Sequence, residues 1–279
     1  MRIGQNPNKS EHRINIPGVV MGVITHLPNF VGYHSERFEV VKLSLLSMRE
    51  RAGCKADTLI WDNGSCKELR DWLIDEYKPT TLILSDNVGK NNAKTAILRM
   101  FRDDTVVGIA DDDIYYYPGW LKESIKLLQG FPSVGVVSAY PVRTQFRWGC
   151  KNTIEWAIKN GTVTKGHIMP DQWGKDFCSS IGRPWDGNNP KDHDFVVEYK
   201  GMKAFLTGHH CQFIGRAGTL SKFPDWQPFA LSPERDFDNM VDNAKLLRLT
   251  TIERLARHMG NTIDEDITLD WERDHDKRN

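Results

Sequence analysis

The chain is short of the features that would fix its class at a glance. Its 279 residues hold five cysteines (Cys54, Cys66, Cys150, Cys178 and Cys211), an odd number with no Cys-x-x-Cys pair. That pattern argues against a disulfide framework and a structural zinc site, and it suits a reducing, cytoplasmic setting. Neither sign of charge is in excess, since 37 lysines and arginines balance 37 aspartates and glutamates. No global field therefore draws the protein to nucleic acid or an anionic membrane. No apolar run approaches the roughly 20 residues that span a bilayer. The opening stretch, residues 1–16, is polar and is expected to be loose, with no apolar signal segment. Internal repeats and low-complexity linkers are missing too, which favours a single domain with ample material for a core.

What is present is an alternation. Short apolar runs at Val19–Thr25, Thr58–Trp61, Thr81–Leu84, Val106–Ala110 and Val134–Ser138 read as strands. Between them Phe38, Val41, Leu45 and Met48 form a stripe at helical spacing, and 66–77 and 89–101 carry similar stripes. Pro118 lies near the first turn of a helix running to about Leu128. Strands alternating with helices imply βαβ units and a mainly parallel sheet, whose ligands bind beyond the carboxyl ends of the strands. After Ser138 the periodicity fades. Residues 140–230 contain Trp148, Trp156, Trp173, Trp185 and Trp226 among many glycines and prolines. Such aromatics can stack on sugar faces, but filling an irregular core is their commoner use. Lys203–Ile214 reads as one further strand, Asp236–Arg257 as a helix, and 264–279 as a charged, solvated tail.

One strand end stands out. Asp111-Asp112-Asp113 follows Val106–Ala110 directly. Ending a buried strand in three negative charges is costly unless a cation compensates them. If the strand geometry persisted, Asp111 and Asp113 would project to one side. Such a pair suits a hard divalent ion that also grips phosphate oxygens. The plain alternative is a turn of solvated acids capping the next helix. Polar groups recur at the other strand ends: Thr25-His26-Leu27-Pro28, Asp62-Asn63-Gly64-Ser65, and Asn87-Val88-Gly89 leading into a helix with Lys90 and Lys94.

In this order the motifs resemble those of the GT-A nucleotide-sugar glycosyltransferases, most closely family 2. The resemblance covers roughly residues 17–140 well and the remainder weakly. It implies an α/β fold of GT-A type: a mainly parallel central sheet flanked by helices, with a Rossmann-like nucleotide-sugar-binding half (17–140) and an irregular acceptor-binding and catalytic-base half (141–263). It implies a metal-dependent transfer of sugar from a nucleotide diphosphate-sugar to the hydroxyl of a glycan or other acceptor, with inversion. By similarity Thr25, His26, Asp62, Asn63, Asn87, Gly89, Lys94 and Asp112 meet the nucleotide, and Gly208 in Phe205-Leu206-Thr207-Gly208 approaches the donor sugar. An Asp62 carboxylate accepting a base imide N–H would favour UDP or dTDP. An Asx turn before Asn63-Gly64 accounts for Asp62 almost equally well, and Lys94 could simply be an exposed helix lysine. Asp113 is the main metal ligand on this reading, with Asp111 and His258 completing a site for Mn2+ or Mg2+. Asp236 or Glu234 serves as the base, although helix capping would also explain acids there. Arg235 stands where relatives carry glutamate. His209 and His210, taken as strand neighbours, would face opposite ways.

Two rivals share parts of this pattern. A sugar nucleotidyltransferase needs a Gly-rich loop and a basic residue after the first strand, and Val23-Ile24-Thr25-His26-Leu27-Pro28 offers neither. A GT-A relative that binds nucleotide or glycan without turnover remains open because of Arg235.

Overall fold

The computed structural model describes residues 18–185, 193–223 and 233–276, so the polar stretch 1–16, Trp226 and the last three residues lie outside the described residues. Strands β1 (Val19–Thr25), β2 (Asp57–Asn63), β3 (Thr81–Ser85) and β4 (Val106–Ala110) run parallel in the order β3-β2-β1-β4. Helices α1 (Arg37–Glu50), α2 (Lys67–Trp72) and α3 (Lys90–Arg99) connect them. The apolar runs are continuous because both faces are covered. Met21 and Val23 pack with Val41, Leu45, Met48, Leu69 and Trp72, whereas Val20 and Ile24 pack with Ala93, Ile97 and Leu98. Close approach explains one glycine here: a Cβ on Gly108 would lie 2.2 Å from Met21 Sδ.

The second half extends the same sheet. It contributes β5 (Ile114–Tyr116), α4 (Trp120–Gly130), β6 (Val134–Ser138), α5 (Lys151–Asn160), β7 (Thr162–Gly166), α6 (Asp171–Ser180), β8 (Asp194–Tyr199) and β9 (Met202–Phe205). Then follow β10 (Gln212–Arg216), α7 (Ala217–Leu220), α8 (Pro233–Asn243), β11 (Leu247–Thr250), β12 (Ala256–His258) and α9 (Glu265–Asp276). The ten-stranded sheet continues from β4 as β10-β6-β11-β9-β8-β7. There β6 and β11 are parallel, while β10 lies antiparallel to both β4 and β6. A separate ribbon pairs β5 with β12. Trp120 is fully buried, its indole N–H donating to the Met48 carbonyl at 3.0 Å, and so locks α4 to α1.

Three expectations for the second half need correction. Lys203–Ile214 is not one strand, because residues 206–211 form a loop between β9 and β10. Asp236–Arg257 is not one helix. Helix α8 ends before Lys245, which takes a left-handed φ of 60°, and the following Leu247–Thr250 run is buried in the sheet as β11. Nor are residues 264–276 of the expected 264–279 tail solvated, since α9 buries Ile267 and carries acids that are paired with an interior arginine. The Arg51 side chain, only 1% exposed, lies 2.7 Å from both Asp270 and Asp274, and the Tyr115 hydroxyl donates to Asp270 at 2.8 Å. Charge spacing in the sequence gave no sign of this, because the partner lies more than two hundred residues upstream.

Arg51→Leu should therefore loosen α9. Losing one member of a fully buried pair costs about 3–5 kcal/mol. Asp270 and Asp274 are 30% and 27% exposed and can turn to water, so the expected loss is nearer about 2 kcal/mol. Urea unfolding measures it, and an unchanged midpoint would mean that these ion pairs add nothing to the fold.

Candidate active site

The acidic run sits at the carboxyl end of β4, where the strand stops at Ala110 and the chain turns into β5. The turn gives the three side chains different partners. Asp111 lies 2.8 Å from Lys90 Nζ and 3.1 Å from Lys94 Nζ. Asp112 pairs with Arg37, and Asp113 receives the other Arg37 nitrogen at 3.1 Å. That same nitrogen donates to the Gly260 carbonyl at 2.9 Å. Three carboxylates thus meet three cations from the protein itself. Burial alone would raise the Asp111 carboxyl, but Lys90 and Lys94 outweigh it and hold this group far below the usual carboxylate range. Asp112 moves the other way: burial raises it despite Arg37. Lys94 is no exposed helix lysine. It is fully buried, and burial lowers its pKa even beside Asp111.

These partners bear directly on cation binding. Asp111 fits poorly as a ligand because both its oxygens face ammonium groups. Asp113 fits better. Its Oδ1 is buried without a hydrogen-bond partner, and His258 Nε2 lies 3.4 Å from its Oδ2. The β5–β12 ribbon produces this meeting by pairing Ile114 with His258, while the Met259 N–H donates to the Asp113 carbonyl at 2.8 Å. A carboxylate and an imidazole converging on one point suit manganese better than magnesium.

The remaining strand ends form a hydrogen-bonded set. Asn63 donates to the Asn87 side chain at 3.0 Å and accepts from the Val88 N–H at 2.8 Å, and Asn87 accepts from the Gly89 N–H at 2.9 Å. Gly89, at φ 86°, supplies a left-handed step before α3. His26 Nδ1 lies 3.0 Å from the Asn63 carbonyl, and the His26 N–H reaches Asp112 at 3.4 Å. Asp62 is different. It is fully buried and takes Arg70 Nε at 2.7 Å and the Ser65 N–H at 3.3 Å on one oxygen. Its other oxygen accepts a long bond, 3.4 Å, from Thr25. The turn-forming role is therefore realised, and Asp62 opens onto no ligand surface in this conformation.

A cleft of about 550 Å³ opens in the second half. Trp148, Trp173, Trp185 and Phe177 supply aromatic wall, and His209, His210, Cys211, Glu234 and His258 supply polar wall. Trp156 instead packs with Phe131 and Tyr199, so the tryptophans divide between the two uses. Glu234 borders the cleft, but Asp236 is exposed and outside its wall. Arg235 stacks over Trp148 at 4.2 Å, at the cleft edge. Gly208 does not reach the cleft. A Cβ there would sit 3.3 Å from Val136, and its carbonyl accepts from Arg248. His209 and His210 do not face opposite ways, since in the 206–211 loop their rings are 4.8 Å apart. Burial, then His210 and His258, push His209 well below the usual histidine range, so it is neutral.

Sequence reading missed Arg37 and Asp238. Arg37 opens the helix after β1, a position where a basic residue could have been flagged. Asp238 is hidden two residues beyond Asp236, and the turn of α8 carries it inward.

A parallel βαβ half with acids and amides at its carboxyl ends, fused to an aromatic cleft, defines a GT-A fold. The sequence profile described as "Glycosyl transferase family 2" matches residues 32–184, more than half of the chain. The chain belongs to glycosyl transferase family 2. Among solved structures it is similar to the mannosyltransferase PcManGT from Pyrobaculum calidifontis, solved in complex with GDP-Man and Mn2+. Identity is 14% and the TM-score 0.49, over 87% of this chain and 57% of that one, so the chain spans little more than half its length. No curated protein matches by sequence.

The charge balance at β4 has a pH signature. Because the folded Asp111 carboxyl lies below its unfolded value, its ionised form stabilises the fold above about pH 3.9. That contribution is lost at about 1.4 kcal/mol per unit as pH falls below this value. Urea unfolding at pH 5 and pH 3 should show a smaller acid loss for Asp111→Asn than for the unaltered protein. Parallel losses would refute the pairing with Lys90 and Lys94.

Proposed function

We propose that the protein transfers a sugar from a nucleotide diphosphate-sugar to an acceptor hydroxyl, with inversion at the anomeric carbon. Family membership and the approach of Asp113 to His258 beside the aromatic cleft carry this reading. The donor lies across the carboxyl ends of β1 to β4. Asn63, Asn87 and Gly89 shape that surface, beside the acidic run that Arg37, Lys90 and Lys94 neutralise. Asp62 Oδ1 holds only the long bond from Thr25 but is fully buried, so UDP or dTDP as the carrier requires donor binding to uncover this carboxylate for a pyrimidine imide. Asp113 and His258 would hold a manganese or magnesium ion, whose chemistry is Lewis-acid assistance to the departing diphosphate. In the cleft, Trp148 and Trp173 stack on the acceptor, and Glu234 accepts a hydrogen bond from it. Orientation of the two substrates supplies much of the acceleration.

One observation favours a second reading, a relative that binds without turnover: the protein's own cations already neutralise the acidic run. Release of nucleoside diphosphate from a labelled donor separates the two.

A thermal-shift panel of UDP, dTDP, GDP and CDP, each with and without Mn2+, tests the site. A nucleotide at 100 times its dissociation constant adds about 2.7 kcal/mol. UDP or dTDP should stabilise the protein only with metal, and Asp113→Ala should abolish that shift. Equal, metal-independent shifts across all four would remove the case for this site.

A further inference from the structure

We infer that His210, held by Asp238, takes the proton from the acceptor hydroxyl; this rests on the sugar-transfer reading above. His210 lies on the 206–211 loop, borders the cleft and is 18% exposed in its side chain. Its Nδ1 lies 3.1 Å from Asp238 Oδ2. Asp238 is fully buried on α8, and its other oxygen is 2.7 Å from the equally buried Arg248 guanidinium. Arg248 thus forms an ion pair with one oxygen of the carboxylate, without a hydrogen bond to it, and leaves the other oxygen for the imidazole. A carboxylate oxygen here accepts from Nδ1–H, and the imidazole tautomer that fits this contact presents its lone pair on Nε2. Nε2 has no hydrogen-bond partner among the described residues.

The neighbouring histidine is arranged the other way round. The Cys211 N–H donates to His209 Nδ1 at 3.1 Å, which places the His209 proton on Nε2, buried and without a partner. An unpaired buried donor costs about 1–3 kcal/mol, so a ligand oxygen is the natural partner for it. The two tautomers also argue against reading His209, His210 and Cys211 as a metal cage, although their ligand atoms lie within 4.8 Å. His209 has no lone pair free at Nε2, and burial keeps the Cys211 thiol protonated.

Topology places the pair beside the proposed donor site. The Asp111 N–H donates to the Cys211 carbonyl at 2.8 Å, extending the β4–β10 ladder to within one residue of His210. His258 shares the same cleft wall. The expected carboxylates are less well served, since Asp236 is outside the wall and no group among the described residues fixes Glu234.

In the step, the acceptor oxygen attacks the anomeric carbon as its proton passes to His210 Nε2. A new C–O bond forms, and the bond from the anomeric carbon to the β-phosphate oxygen breaks. Its electron pair leaves with the nucleoside diphosphate. The imidazolium, opposite Asp238, returns its proton to water after product release. Asp238 is a positioning residue, because an amide there could donate to Nδ1 and move the proton to Nε2, the wrong tautomer for a base.

The test follows hydrolysis of the glucose, galactose and mannose derivatives of the nucleotide selected by the thermal-shift panel, with water as acceptor. General base catalysis is worth about 100-fold to 10,000-fold. His210→Gln should lower kcat by at least about 100-fold, with KM and the metal-dependent nucleotide shift unchanged. His210→Gly should regain turnover with added imidazole, which a purely structural histidine would not allow. Asp238→Asn should lower kcat while retaining the nucleotide shift. Turnover surviving in His210→Gln but lost in Glu234→Gln would overturn the inference and leave sugar transfer standing. If no nucleotide shifts the unaltered protein, the parent reading falls and takes this one with it.

Discussion

Three carboxylates at the mouth of a buried strand set the terms for the rest of this site. Asp111, Asp112 and Asp113 have lost most of their water, and the protein answers with Lys90, Lys94 and Arg37. Each cation comes from a different part of the fold from the acids. Lys90 and Lys94 lie one turn apart on α3, and Arg37 opens α1. The crossover helices on the two faces of the parallel half are thereby tied to one strand end. A buried pair of this kind is weak support for stability, because desolvation offsets most of its Coulomb gain. Its consequence here is geometric: it engages both oxygens of Asp111 in ion pairs with lysines, and it leaves Asp113 Oδ1 buried without a hydrogen bond.

The two halves share a seam rather than a hinge. β10 runs antiparallel between β4 and β6, so the loop before β10 arrives beside the acids that follow β4. The β5–β12 ribbon does the same from the other side and brings His258 to Asp113. Residues distant in sequence, around 111, 210 and 258, meet because two antiparallel pairings are grafted onto a parallel core. A one-residue slip in either pairing would turn the relevant side chain to the opposite face.

The first half was legible from residues because its signals are local. Apolar runs, helical stripes and turn residues placed β1 to β4 close to their observed bounds, and the same reading put Asn63, Asn87 and Gly89 at or just beyond strand ends. The second half was not, for a physical reason. Its strands are short and its site rests on long-range partners. Lys203–Ile214 has the composition of one strand, but Gly208 packs against Val136 and the chain loops before re-entering the sheet. Likewise Asp236 is the acid that the family pattern picks out, and Asp238 is the one the turn of α8 buries. Arg37 escaped notice because nothing in its neighbourhood shows that its target lies at 112 and 113. Those are tertiary facts.

Arg37 also shows how a cation could enter a site that is already neutral. Its guanidinium makes three contacts: Asp112, the Gly260 carbonyl and Asp113. Only the last involves the carboxylate that His258 approaches. A divalent ion at Asp113 therefore competes with a single bond of Arg37, while the other two keep the side chain anchored. Net charge favours the exchange once a diphosphate is present, because donor and ion then enter together with charges that nearly cancel. Without the diphosphate, the ion would add positive charge beside Arg37 and His258. Metal and nucleotide binding should accordingly be cooperative in this protein, each weak without the other. That coupling follows from the protein's own cations rather than from any property of the metal.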